Sequence, residues 1–378
     1  MEHSQSAPRE PLRLLYIARA YPPTLGGMET FAHRLAESLS QQAHVVTLVN
    51  RRGKKALPLF LPYALASASY LARRHRVQAI HLADALLAPL GWALKRATGL
   101  PVTSSVCGLD VTYPNPIYQS LVPRSLARLD MTMPISRATE EQVRERAGPL
   151  TPTTVIPLGV NPLPTPDDGT IRDFRRLARV GAGDKVLLTV GRLVKRKGVA
   201  WFVEQVLPHL PNDVVYVVIG EGAEAAAIEA AGLAAGVACR VRMLGRVSDK
   251  LLAAAYRCAD LFVMPNVPVP DDMEGFGLVA LEASASGLPV VASRLEGINE
   301  AIQHEHNGLL ISPRSADDYV ATLTCLLGLS HQQVRALGES FAKFTLRTYG
   351  WEKTARRYLD VIGQIALCRR AEGWPRVT

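Results

Sequence analysis

Twelve short apolar runs, rich in Val, Ile and Leu, recur between residues 12 and 313, with helical patterns between them. In the first half they cover 12–18, 44–50, 78–83, 101–106, 131–136 and 153–160. In the second half they cover 185–191, 214–220, 239–245, 261–266, 288–293 and 308–313. A strand with one wet face alternates apolar and polar residues. Runs this continuously apolar predict strands covered by helices on both faces. The clearest helix between them starts at Met28 and carries Phe31, Leu35 and Leu39 on one stripe. Repeated β-α-β alternation folds into doubly wound parallel sheets. At roughly 150 residues per domain, 378 residues call for more than one such sheet. The break falls at NPLPTPDDG (161–169), rich in proline and acids. The expectation is an α/β chain of two Rossmann-like domains, residues 1–165 and 166–348. After Pro313 only helical patterns follow, and a last helix around Trp351–Ile365, within 349–378, is placed to cross back to the first domain.

Charge separates the two halves. Residues 1–180 hold 22 Lys and Arg against 13 Asp and Glu, and the remainder hold 21 of each, so the whole formal +9 lies in the first half. That asymmetry implies an anionic partner for the first domain. The segment NRRGKKALPLFLPYAL (50–65) suggests a surface: four cations precede Leu57, Leu59, Phe60, Leu61 and Tyr63, and Arg73, Arg74 and Arg76 follow. Docking on an anionic membrane is one expectation; a core helix flanked by solvated charges is the other. Nucleic acid is not expected, because the basic half has no aromatic-interleaved stripe and no zinc finger. The uncharged apolar stretch Ala56–Ala72 is 17 residues and contains Pro58 and Pro62, against about 20 unbroken apolar residues for a membrane span. The amino-terminal stretch lacks the basic start of a secretory leader. Five scattered cysteines give no C-x-x-C pair, which argues for reduced thiols in a cytoplasmic protein, without disulfides or a zinc site.

Ligands of open parallel sheets bind beyond the carboxyl ends of the strands, so the loops there carry the chemistry. YPPTLGGMET (21–30) places Gly26 and Gly27 before a helix whose first N–H groups favour an anion; a plain glycine turn reads as well. GRLVKRKG (191–198) holds Arg192, Lys195, Arg196 and Lys197 between two glycines, a cationic turn suited to a diphosphate or merely to solvent. EGFGLVALE (274–282) sets Glu274 and Glu282 eight residues apart around Phe276, Gly277 and Leu278 at a predicted helix start, with Glu282 about two turns inside. Its N–H groups can hold phosphate oxygens, and Glu282 can accept from sugar hydroxyls; a glutamate favoured by the helix dipole plus a solvated one is the other reading. GEGAEA (220–225) matches the loose dinucleotide pattern, but Arg240 stands where that fingerprint needs an acid, which weighs against a nicotinamide-dependent oxidoreductase. No P-loop, H-E-x-x-H, G-x-S-x-G or D-x-D occurs, so neither a metal nor a cofactor is expected.

With CGLDVTYP (107–114), PIS (134–136), VIPLGVN (155–161), IGEG (219–222), LGRVSD (244–249), EGINEAI (296–302) and NGLLISP (307–313), these motifs span residues 21–313. Together they resemble the retaining GT-B glycosyltransferases of glycosyltransferase family 4. The resemblance implies two Rossmann-like domains with an interdomain cleft, a nucleotide diphosphate sugar donor on the second domain and a glycan or lipid-linked acceptor on the first. It implies that Arg192 and Lys197, beside Gly191, hold the diphosphate, aided by the N–H groups of Phe276, Gly277 and Leu278. Glu282 then holds the ribose, Glu274 lies against the donor sugar, and Gly245, Arg246 and Val247 border the base. Gly26 and Gly27 let the first-domain loop come close to phosphate. Many relatives carry a histidine where this chain has Cys107, a weak donor, which makes Asp110 the expected polar contact, with a plain first-turn helix acid as the equal alternative. The reaction implied is retaining, metal-independent transfer of a hexosyl or deoxyhexosyl unit, with a nucleotide-sugar epimerase or hydrolase as the alternative.

Overall fold

The computed structural model describes residues 11–23, 27–270 and 272–371. Gly26 lies outside the described residues, and so do the first ten, on which the expectation about a leader falls. The chain forms two compact units. One runs up to Gly159 and resumes at Trp351; the other is Val160–Gly350.

Among the described residues the first unit has a five-stranded sheet: β1 (Arg13–Ala18), β2 (His44–Val49), β3 (Ala79–Leu82), β4 (Val102–Val106) and β5 (Met131–Pro134). All pairings are parallel, in the order β2-β1-β3-β4-β5. The expected strand at 153–160 does not form. It makes isolated bridges, Thr132 with Thr153 and Val160 with Gly350. The segment does run beside β5, with Thr154 N donating to Thr132 O and Ile156 N to Pro134 O. Thr132 N also donates to Pro152 O at 2.9 Å, but Pro134 has no N–H to return to the segment, and the ladder stops after these three bonds.

Right-handed crossovers put the step from β1 back to β2 on one face and the forward steps on the other. The helix Gly27–Ser40 accordingly packs with the final helix, Trp351–Ala371, while Leu57–Arg74, Ala88–Thr98 and Pro116–Leu126 form the opposite layer. The final helix is bonded into the sheet through polar groups. His81, fully buried, meets Thr103 Oγ1 at 2.8 Å and Ser105 Oγ at 3.0 Å, and Ser105 Oγ meets Tyr358 Oη at 3.1 Å. Burial pushes the His81 imidazole down to about 3, so it is a neutral strut.

The second unit holds six parallel strands: β6 (Lys185–Val190), β7 (Val214–Ile219), β8 (Val241–Met243), β9 (Leu261–Met264), β10 (Val290–Ser293) and β11 (Leu309–Ile311). Their order is β11-β10-β9-β6-β7-β8. The order reverses between β6 and β9, which makes the gap beyond their carboxyl ends the place for a ligand. Two helices, Ala316–Leu327 and His331–Tyr349, follow the last strand, the second opened by a capping box of Ser330 and Gln333.

Candidate active site

Loop 191–198 leaves β6 and loop 265–277 leaves β9, so both rise at the switch point of the second unit. There Lys197 Nζ lies 2.6 Å from Glu274 Oε2. Arg196 Nε approaches the same oxygen at 3.4 Å while its Nη1 holds Asp272 Oδ1 at 2.7 Å. Asn266 Nδ2 donates to that oxygen as well, at 3.0 Å. Burial pushes the Glu274 carboxyl up, but Lys197, Arg196 and Asn266 together outweigh it and hold the group below the ordinary range. Glu274 is therefore an anion in contact with two buried cations.

Close backbone packing fixes these loops. Gly198, at φ 65°, ends the cationic turn so near β9 that a Cβ would lie 1.9 Å from Pro265 O. Val267 N closes the contact on Arg196 O at 2.9 Å. On the far side, a Cβ at Gly297 would lie 2.1 Å from Gly275 O, and Glu296 accepts a short hydrogen bond from Glu274 N. Only glycine tolerates such approach, so these sequence motifs are steric requirements of one cradle.

The helix Leu278–Ala285 starts beside it, with Gly277 left-handed as its N-cap, Leu278 as first residue and Phe276 buried against Tyr349. Its leading N–H groups have no partner within the helix. Glu282 lies little more than one turn inside, not the two expected, because the helix begins only after Gly277. Tyr256 Oη lies 3.4 Å from Glu282 Oε2. Burial pushes the Glu282 carboxyl up to about 7, with Tyr256 opposing and Asp249 adding to the shift. A hydroxyl-rich ligand could restore the lost hydration. Arg192 is exposed next to Gly191. Beyond β8, Gly245 O accepts from Gly220 N at 2.9 Å, Val247 is half-buried, and exposed Arg246 faces Glu221 at 3.7 Å.

In the first unit the order reverses between β1 and β3. At their carboxyl ends Arg19 Nε bonds Asp84 Oδ1 at 2.8 Å, a pair the sequence analysis did not single out. Asp110 is buried next to it, and both its oxygens are taken by backbone: Oδ2 by Ala85 N at 3.0 Å and Oδ1 by Cys107 N at 2.8 Å. Burial, with the Asp84 charge adding to it, pushes the Asp110 carboxyl up to about 6. The Cys107 thiol is raised by burial and by both carboxylates, so it is held as the thiol. Gly27 is exposed at the first position of the helix Gly27–Ser40, and a Cβ there would meet nothing within 4 Å, so the fold itself does not require glycine.

Arg196, Asn266 and Glu296 belong to the second-unit site and were not picked out as site residues. Arg196 was visible only as one of three cations in a row, and Asn266 only as the residue after the MP that ends β9.

Two family models match the chain: Glycosyltransferase Family 4 over residues 25–162 and Glycosyl transferases group 1 over residues 184–328. A GDP-mannose-dependent alpha-(1-6)-phosphatidylinositol monomannoside mannosyltransferase of Mycobacterium tuberculosis is 27% identical, covering 93% of this chain and 98% of its own. A D-inositol 3-phosphate glycosyltransferase of Xylanimonas cellulosilytica is 34% identical over 61% of this chain and 56% of its own. Among solved structures, sucrose-phosphate synthase from Thermosynechococcus elongatus superposes with a TM-score of 0.74 at 22% identity, covering 94% of this chain and all of that one. Anabaena HepE in complex with UDP superposes equally well, at 0.74 and 18% identity, covering 93% of this chain and all of that one. These two structures share the fold of two parallel-sheet domains. With the Family 4 model over the first unit and the group 1 model over the second, together most of its length, the chain belongs to the GT-B glycosyltransferases of family 4.

Proposed function

We propose that this chain is a retaining, metal-independent hexosyltransferase. It moves a hexosyl or deoxyhexosyl unit from a nucleotide diphosphate sugar to a hydroxyl of a glycan or lipid-linked acceptor, in bacterial surface polysaccharide or glycolipid synthesis. A GDP-sugar is the first donor to try, because the relative matched over nearly its whole length is named for GDP-mannose. The observation that carries the reading is the buried Lys197–Glu274 contact at the switch point, beside the start of the helix Leu278–Ala285.

In this reading Lys197 and Arg192 take the donor diphosphate, and the N–H groups of Phe276, Gly277 and Leu278 bind its oxygens. Preorganised cations and dipoles of this kind stabilise the charge that grows on the leaving phosphate as the glycosidic bond breaks. They supply the charge that a metal supplies elsewhere. Glu282 accepts the ribose hydroxyls, and Glu274 meets the donor sugar. Gly245, Arg246 and Val247 border the base, and the leaving phosphate takes the acceptor hydroxyl proton. The acceptor belongs to the first unit, where the open space at Gly27 lets a ligand approach the backbone. Asp110, with both oxygens on backbone N–H groups, shapes the 107–110 loop there.

The partner of the first unit is an anionic membrane surface, which places the enzyme at the inner face of the plasma membrane. No helix among the described residues is long and apolar enough to cross a membrane. Support comes from the layer of three helices: residues 51–129 contain eleven Lys and Arg but only two acids, Asp84 and Asp110, and both acids are buried. Leu59 and Tyr63 are 76% and 61% exposed, with Phe60 turned into the core.

A thermal-shift screen over UDP-, GDP-, ADP- and TDP-sugars tests the donor. A ligand at 100 times its Kd adds about 2.7 kcal/mol. No shift with any of them overturns the reading. Release of free sugar that no acceptor extract diverts into product would make the chain a hydrolase instead.

A further inference from the structure

Glu274 is held in an uneven way. Its Oε2 receives Lys197 Nζ, Arg196 Nε and Asn266 Nδ2, while Oε1 accepts from no described residue. Lys197 cannot be the lasting anchor if it also serves a diphosphate, since the two anions compete for one ammonium. Arg196 and Asn266 face no such conflict. Arg196 is buried and fixed at its other end by Asp272, and Asn266 is wholly buried. Facing a carboxylate, Asn266 must present its NH2, and this turns Oδ1 to a place where no partner reaches it. A buried amide oxygen without a partner destabilises the fold, and what the residue gives in return is one hydrogen bond to Oε2.

We propose that Arg196 and Asn266 are positioning residues that hold Glu274 by Oε2 independently of Lys197. Lys197 is thereby free to turn to the donor diphosphate while Oε1 stays aimed at the donor sugar. The inference rests on the donor reading above and adds how that site stays assembled when the donor enters.

The test uses the full chain, with Asn266→Ala, Asn266→Ser, Arg196→Gln and Arg196→Lys, the nucleotide sugar that wild type accepts, and the matching nucleoside diphosphate. Asn266→Ala and Arg196→Gln should lower kcat for sugar transfer or release about 10- to 100-fold, the scale of a lost hydrogen bond to a charged group. The Kd for the nucleoside diphosphate, which has no sugar for Glu274 to meet, should stay within about twofold. Ser at 266 and Lys at 196 each keep a donor and should recover part of kcat. The charges around Glu274 are Lys197 and Arg196 from the β6 loop, Asp272 from its own loop and Glu296 from the β10 loop. Removing a cation from that set raises the carboxyl pKa, so the acid limb of kcat/KM should move to higher pH in Arg196→Gln. Wild-type kcat and an unmoved acid limb would overturn the proposal. So would equal loss of diphosphate and sugar-nucleotide binding, which marks a merely structural role. If wild type binds no nucleoside diphosphate, the donor reading fails and this inference fails with it.

Discussion

The two units place charged side chains at the same topological point and use them differently. In the second unit, acids and bases at the β6–β9 switch bond each other, and an oxygen of Glu274 is left open. In the first unit, at the β1–β3 switch, Asp110 gives both oxygens to backbone N–H groups, and Asp84 Oδ1 takes Leu86 N as well as Arg19. A carboxylate spent on backbone shapes a loop. One spent on side-chain cations keeps its charge near groups that a ligand can share. The second unit thus carries a preorganised charge cradle, while the first carries a scaffold at the same point.

The largest effect expected from this contrast is at Lys197. Lys197→Ala should lower turnover about 100- to 1000-fold, the scale of removing one donor from a charge-stabilising site. Arg192→Ala, at an exposed position, should cost less. Steady-state kinetics beside a melting curve checks both; low Tm with normal turnover would make the loop structural and erase the contrast. Glu282→Gln comes next, lowering kcat/KM for the donor roughly 10- to 150-fold. Its stability effect has the opposite sign. Burial raises the folded-state pKa of Glu282 to about 7, so the native state binds the proton more tightly than the unfolded chain. Stability from this group is fully present below the ordinary carboxyl range and is lost as pH rises toward 7. Gln stays neutral, so the variant should melt no lower than wild type at pH 8, and part of the pH slope should vanish. A variant that melts well below wild type at pH 8 would mean that Glu282 is a structural hydrogen-bond partner.

Most of the second unit was legible because its demands are backbone demands. A Cβ would lie 1.9 Å from Pro265 O at left-handed Gly198 and 2.1 Å from Gly275 O at Gly297, so both positions admit only glycine and leave fixed marks in the sequence. The first unit leaves fewer. Arg19 and Asp84 are 65 positions apart, and only the parallel pairing of β1 with β3 brings them together. Asn266 and Arg196 were missed for a similar reason: their partner, Glu274, is found by folding and not by spacing. The run 153–160 reads as a strand by hydropathy, and the proline that breaks its ladder, Pro134, sits in the partner strand.

Asp110→Ala tests the scaffold half of the comparison with a smaller effect on chemistry. The buried N–H of Ala85 and the part-buried N–H of Cys107 would lose their acceptor, at a cost of about 1–3 kcal/mol for the buried group and less for the other. The Tm should fall while acceptor-independent release of sugar from the donor stays near wild type. A large loss of that release in a folded variant would make Asp110 a catalytic residue and bring the two units closer in kind.

The smallest effect concerns the outer face. A cation near an anionic bilayer contributes about 1 kcal/mol, screened beyond a Debye length, so each removed charge should weaken binding about fivefold and each reversed one somewhat more. Arg73→Gln with Arg74→Gln should therefore lower binding to vesicles rich in anionic lipid about 25-fold, and raised salt should do the same to wild type. The apolar component is separable. Leu59 and Tyr63 are exposed on the helix Leu57–Arg74, so replacing both with Ser should leave Tm unchanged and reduce the binding that survives high salt. Donor turnover in solution should not move in either variant, because both pairs belong to the first unit and the donor loops to the second. Co-sedimentation with anionic and neutral vesicles at low and high salt checks all of this. If anionic vesicles take down no more protein than neutral ones at low salt, the acid-free helix layer faces something other than a membrane, and the surplus of the first unit has to be assigned to an anionic acceptor in solution.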